Sequence, residues 1–145
     1  MPDLPLRIRP ATALDADVLA DLERSTRPNE HGDANRAIIS APAGDIPTML
    51  ADPGPAAHWI ATLEGEVIGW LHVEALGPGH PRPLAVIDIR VSPAHRRRRV
   101  ATNLLTYAIA DAPAQAQIPD GHAEPAAFFE SQNFVYDADH HLFIR

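Results

Sequence analysis

Apolar residues along this chain switch between a two-residue and a 3.6-residue period, and the switches mark out a series of short strands and helices. Residues 6–8 (LRI) read as a strand, followed by Thr12-Ala13-Leu14-Asp15, which has the S/T-x-x-D/E form that opens a helix. That helix is predicted to bury Leu14, Val18, Leu19 and Leu22. The pattern breaks over 27–54 at Pro28, Gly32, Pro42, Gly44, Pro47 and Pro53, which predicts a loop with short helices over 34–40 and 46–51. Residues 58–63 and 67–76 are predicted strands joined by a hairpin turn at Glu64-Gly65-Glu66. A third strand-like run, LAVIDIRV over 84–91, leads into a helical face of Val100, Leu104, Leu105, Ala108, Ile109 and Ala112. Beyond it, 134–137 and 141–144 read as a closing hairpin.

No repeat or second domain interrupts this order, so residues 1–145 are expected to form one α/β domain with a core of ordinary size. The formal net charge is -7, with no lysine; all 12 basic residues are arginine, and four of them are Arg96, Arg97, Arg98 and Arg99. An acidic chain with one basic spot suits a small anionic ligand and argues against a nucleic-acid track, as does the scarcity of aromatics. The lack of cysteine removes disulfides, thiolate metal sites and a thiol nucleophile. No metal is expected, because adjacent histidines such as His140 and His141 point to opposite faces of a strand, and no H-x-x-x-H spacing joins them to His122 or His80. With no charged-then-apolar leader and no apolar run near about 18 residues, a soluble cytoplasmic protein without a membrane partner is expected.

The arginine turn carries the candidate chemistry. It sits between a strand that ends at Val91-Ser92-Pro93 and a helix that starts at Val100, where unpaired backbone N–H groups and the helix dipole favour an anion. A phosphate is the natural candidate. The segment resembles the acyl-CoA pyrophosphate loop of the GNAT superfamily of N-acyltransferases, [QR]-x-x-G-x-[GA] after a V-x-P strand end: Val91, Pro93, Arg96 and Ala101 match it. Arg99 stands where the family usually has glycine. A second match is Phe128, Glu130 and Phe134 in the run that the family writes F-Y-E-x-x-G-F; here Asn133 replaces the glycine and Phe129 the tyrosine.

The resemblance covers nearly the whole chain and implies a single GNAT-like domain with a central mixed, mostly antiparallel sheet and helices on both faces. It further implies that acetyl-CoA serves as co-substrate and that an acetyl or related acyl group passes to a primary amine by direct attack. Arg96, Arg97, Arg98, Arg99, Val100, Ala101 and Thr102 would hold the diphosphate; Ile89, Arg90 and Val91 would pair their backbone with the pantetheine arm. Phe129 would pack against that arm without the proton that the tyrosine of relatives gives the departing thiolate, and Tyr136, His122 and His141 are the candidate substitutes.

An ammonium must lose a proton before it attacks, and relatives often place an acid on the strand leading to the phosphate loop. Asp88 holds that position, with Glu74 and His72 in reserve. Asp88 equally has the alternatives of pairing with Arg90 or a neighbouring strand, or of facing solvent. The resemblance implies a small-molecule or peptide amine as acceptor. Asp15, Asp17, Asp21, Glu23, Glu30 and Asp33, set against Arg24, Arg27 and Arg36, make a cationic one attractive. A homodimer is compatible with the resemblance. The rival reading is a family member that keeps the fold but senses or scaffolds without catalysis, because Arg99 and Phe129 both fall at functional positions.

Overall fold

The structure is a computed structural model that describes residues 6–26, 50, 56–77, 79–80, 82–95, 99–110, 112–116, 123–139 and 142–145. Seven strands form one sheet: β1 (Leu6–Pro10), β2 (Ala56–Leu63), β3 (Glu66–Ala75), β4 (Leu84–Val91), β5 (Ala114–Ala116), β6 (Val135–Asp137) and β7 (Leu142–Ile144). Their order across the sheet is β1-β2-β3-β4-β5-β7-β6. Every pairing is antiparallel except β4 with β5, which are joined through helix α2 (Val100–Ile109), because parallel neighbours need a crossover. Helices α1 (Ala16–Thr26) and α3 (Ala123–Ser131) complete the fold. The β2–β3 hairpin closes through Glu64 and Gly65, both at positive φ, as a two-residue turn between right-twisted strands requires.

Two cores lie on opposite faces of the sheet. On one, Leu71, Val73, Val86, Ile89 and Val91 meet Val100, Leu104, Leu105 and Ile109 of α2 together with Phe129, Phe134 and Phe143. On the other, Ile60 and Trp70 pack with Leu50 and with Ala16, Leu19 and Leu22 of α1. The mixed, mostly antiparallel sheet with helices on both faces is therefore as the sequence predicts. The predicted helices over 34–40 and 46–51 lie outside the described residues apart from Leu50, which is helical and buried.

The burial of the first helix differs from expectation. Leu14 is 96% exposed and Val18 is also exposed, while the inward stripe is Asp15, Leu19, Leu22 and Glu23. The reason is local electrostatics. Residues Ala13–Asp15 form a 3₁₀ turn before α1, and Asp15 there accepts the Thr12 N–H (2.8 Å) and two hydrogen bonds from Arg9 of β1 (2.9 and 3.0 Å). Arg9 holds the Asp15 carboxyl below the usual range. With Asp15 anchored inward, its neighbour Leu14 is rotated by roughly 100° and points out.

Close approach of α2 to β3 depends on Gly69. A methyl group at that position would lie 2.9 Å from Val100 Cγ1 and 3.0 Å from Leu104 Cδ1. The expected outcome for Gly69→Ala is a loss of about 1–3 kcal/mol in stability by urea denaturation, the scale of an overpacked core. A stability equal to that of the parent would show that α2 shifts freely on the sheet.

Candidate active site

Strand β4 carries one irregularity, and it positions the candidate chemistry. Leu71 pairs with Ile89 and His72 with Asp88, but Val73 pairs with Val86, so Ile87 is an extra residue without a register partner on β3. An extra residue changes which face the following side chains meet. Before the bulge Val86 faces the α2 core; after it Ile89 and Val91 do, and Asp88 and Arg90 come out beside Trp70 and His72 on the α1 face. The register then lines up His58 of β2, His72 of β3 and Asp88 of β4 directly across three strands.

This row is buried and polar. Trp70 Nε1 donates to His58 Nδ1 at 3.1 Å, and the His58 and His72 rings lie 4.4 Å apart between centroids. His72 Nε2 sits 3.5 Å from Glu74 Oε1, outside hydrogen-bond geometry. Asp88 is 8% exposed; its Oδ2 accepts from Arg90 Nε at 2.8 Å, and its Oδ1 is buried with no hydrogen-bond partner. Burial pushes the Asp88 carboxyl up to about 7 against the opposing pull of Arg90, and the negative charge of Glu23 adds to the rise. Burial also lowers His58 to about 4, helped by His72 and opposed by Glu74, and it lowers His72. Asp88 thus takes the pairing with Arg90 that was one alternative, while keeping one oxygen able to accept a proton.

The start of α2 forms the second part. Its first intrahelical bond runs from Asn103 N–H to Arg99 O (2.9 Å), which leaves the N–H groups of Val100, Ala101 and Thr102 ahead of the ladder. Arg99 precedes them at φ 61° and ψ 25°, the left-handed region. It thereby adopts the backbone that the usual glycine would supply, with its side chain exposed. Val100 and Ala101 bury their side chains in the core, so only their amides can serve a ligand. Thr102 Oγ1 accepts a bond from Gln132 Nε2 (3.2 Å). Arg96, Arg97 and Arg98 lie outside the described residues. Strand β5 pairs with β4 only from Leu84 to Val86 among the described residues, so Ile89, Arg90 and Val91 lie beyond that ladder.

Phe129, expected to pack against the pantetheine arm, is buried among aromatic rings. Phe129 is 0% exposed, and its ring lies 5.0 Å from the Phe134 ring, 5.1 Å from Phe128 and 6.3 Å from Phe143. It is a core residue. Asn133 adopts φ 69° just past α3, the left-handed cap that the sequence leads one to expect. Of the proposed substitute acids, Tyr136 is on edge strand β6, and His122 and His141 lie outside the described residues. The acidic field of the first helix is also weaker than its composition suggests, since Asp15 is bound by Arg9 and Asp21 by Arg24. Glu23 alone of that helix reaches the buried row; Glu30 and Asp33 lie outside the described residues. Among the described residues no group of three His, Asp or Glu side chains could share a metal ion, and no helix is long and apolar enough to cross a membrane.

His58 and Trp70 were not singled out by sequence reasoning. The available signal was that His58 and His72 stand nearly equidistant from the hairpin turn at Glu64 and Gly65, which brings them together on paired strands.

A mixed sheet with one parallel pair joined through α2 and helices on both faces defines the class of α/β domain, and the comparisons with known proteins give its family. The chain belongs to the acetyltransferase (GNAT) family, whose model matches residues 17–134. It is 33% identical over 107 residues to a mycothiol acetyltransferase of Nocardia farcinica; the match covers 68% of this chain and 34% of that protein, so the chain spans about a third of the relative's length. An acetyltransferase structure from Thermus thermophilus superposes with a TM-score of 0.67 at 22% identity, covering 100% of this chain and 99% of the other. The PaiA N-acetyltransferase of Thermoplasma acidophilum, solved in complex with coenzyme A, gives 0.69 at 12% identity, with 97% of each chain covered.

A non-glycine residue in the left-handed region costs about 1–2 kcal/mol. Arg99→Gly is therefore expected to raise stability by up to about 1 kcal/mol once the freedom regained by the unfolded chain is subtracted. Urea unfolding checks this; a lower stability would show that the Arg99 side chain makes interactions that outweigh the backbone cost.

Proposed function

We propose that this protein is an N-acetyltransferase that transfers an acetyl or related acyl group from acyl-CoA to a primary amine, with Asp88 as the proton acceptor. The observation that carries the reading is Asp88 itself: a buried carboxyl with one oxygen held by Arg90, the other unpartnered, and a proton affinity raised to about 7. A general base works best with a pKa near the operating pH, and burial supplies that match here. The family assignment supports acyl transfer in general.

The residues present fit an acyl-CoA. The amides of Val100, Ala101 and Thr102 and the positive end of the α2 dipole would hold the diphosphate, joined by the guanidinium groups of Arg96, Arg97, Arg98 and Arg99. The backbone of Ile89, Arg90 and Val91 would accompany the pantetheine arm. When bound, acyl-CoA supplies the activated thioester carbonyl. The chain's own task is proton management: Asp88 Oδ1 accepts the proton of the substrate ammonium and frees the nitrogen lone pair. Arg90, fixed to Oδ2, orients the carboxyl and stops it from turning away. With Phe129 sealed in the core, water is the simplest donor to the departing thiolate. A CoA-binding sensor without catalysis is the alternative.

Acetyl-CoA is expected to raise the melting temperature, because a ligand selective for the folded state stabilises it by mass action. Release of CoA thiol with a panel of primary amines then separates transferase from sensor. An acceptor must be deprotonated to act, so kcat should climb with pH through about 7, the value to which Asp88 is raised. Asp88→Asn should abolish that limb and lower kcat by about 100-fold or more while the thermal response to acetyl-CoA persists. A retained pH limb in Asp88→Asn would assign the base to another group.

A further inference from the structure

A base as enclosed as Asp88 has to lose its proton after each turnover, and the strand register sets titratable groups of β3 beside it. His72 stands opposite Asp88 in register, and its Nε2, buried and without a hydrogen-bond partner, lies 3.5 Å from Glu74 Oε1. The Glu74 side chain is 40% exposed, so the row that begins in the core ends in solvent. We propose that His72 and Glu74 form a proton exit from Asp88 to solvent along β3, acting as positioning residues for the acyl transfer read above, on which this inference rests.

The groups around His72 favour this role. Glu74 shares its strand, His58 faces it from β2, Asp88 and Arg90 from β4, and Glu23 enters the same buried region from α1. The two histidines are not equivalent. The indole N–H of Trp70 can only donate, so His58 Nδ1 must be the acceptor and cannot carry a proton while that bond lasts. His58, held at about 4 by burial, therefore stays neutral and serves as a fixed wall beside the His72 ring. His72 has no such restraint on Nε2. A proton taken from an ammonium by Asp88 Oδ1 passes to the unpartnered Nε2 of His72, the imidazolium regains its starting tautomer by releasing that same proton to Glu74 Oε1, and Glu74 exchanges it with water. Each transfer leaves the donor in its starting charge state once the cycle closes, and no oxidant or second reactant is needed.

The test uses steady-state acyl transfer to a primary amine in dilute buffer. Glu74→Ala, a change at a partly exposed side chain, should lower kcat by up to about 100-fold while leaving the amine KM and the thermal shift with acetyl-CoA in place. Added formate should restore much of the loss, since a small carboxylate can reach the emptied position. His72→Gln should show the same loss without rescue by formate. Glu74→Ala with parental kcat in dilute buffer, or a loss that formate does not touch, would overturn the relay. A parent that releases no CoA thiol with any amine would instead end the transferase reading and the relay with it, whereas an active parent matched by Glu74→Ala ends the relay alone.

Discussion

The single extra residue in β4 is the constraint on which the candidate site depends. LAVIDIRV without a bulge would keep strict alternation, and if Val86 faced the α2 core then Asp88 and Arg90 would face it too, a buried ion pair among Leu104, Leu105 and Ile109. Desolvating two charges in an apolar core costs several kcal/mol per ion, and their attraction offsets this only with good geometry. Inserting Ile87 shifts the phase at the one place where it helps. Ile89 and Val91 fill the apolar core, and the charged residues join His58, His72 and Trp70 on the opposite face. Among the described residues the parallel pairing with β5 runs from Leu84 to Val86, just before the bulge, and the backbone of Ile89 to Val91 follows it.

Arg99 shows how a departure from a family pattern can preserve a structural role. What the chain needs between Pro93 and α2 is a left-handed residue, so that the helix can begin abruptly with its first amides facing outward. Glycine meets that need without strain and arginine meets it at some cost, adding a charge at the same point. The helix it starts is held from two sides. Gly69 lets Val100 and Leu104 settle on β3, and Gln132 ties Thr102 to the residue just past α3. The geometry of the amides thus rests on packing remote from any ligand.

Much of this was legible in the sequence because periodicity reports burial directly. The limits of β4 and the start of α2 fall where the pattern changes, and the left-handed turn of Asn133 follows from its place just past a helix. What escaped was what depends on partners distant in sequence. Leu14 looks like a core residue by spacing, yet Arg9 of β1 anchors Asp15 inward and turns Leu14 out. Phe129 stands at a motif position in the sequence, and only the fold shows Phe128, Phe134 and Phe143 packed around it. The bulge at Ile87 has no composition signal, so the faces of Asp88 and His72 could not be deduced from alternation alone.

The charge distribution changes meaning once partners are known. Counted along the chain, the acids of the first helix suggest a diffuse negative field; in the fold, Asp15 and Asp21 are each neutralised by an arginine within a few residues. The exposed Arg24–Asp21 pair contributes little at a distance, because screening acts within about 8 Å at physiological ionic strength, and the buried Asp15 carboxylate is held by Arg9. Charge that is buried is screened far less, and Glu23, Asp88 and Arg90 are all buried between α1 and the sheet. Discrimination among amines would then arise less from long-range steering than from whether an ammonium can reach the buried row and give up its proton there. On the proposed reading, recognition and proton transfer would fall to the same few side chains, whose register across the sheet the bulge in β4 sets.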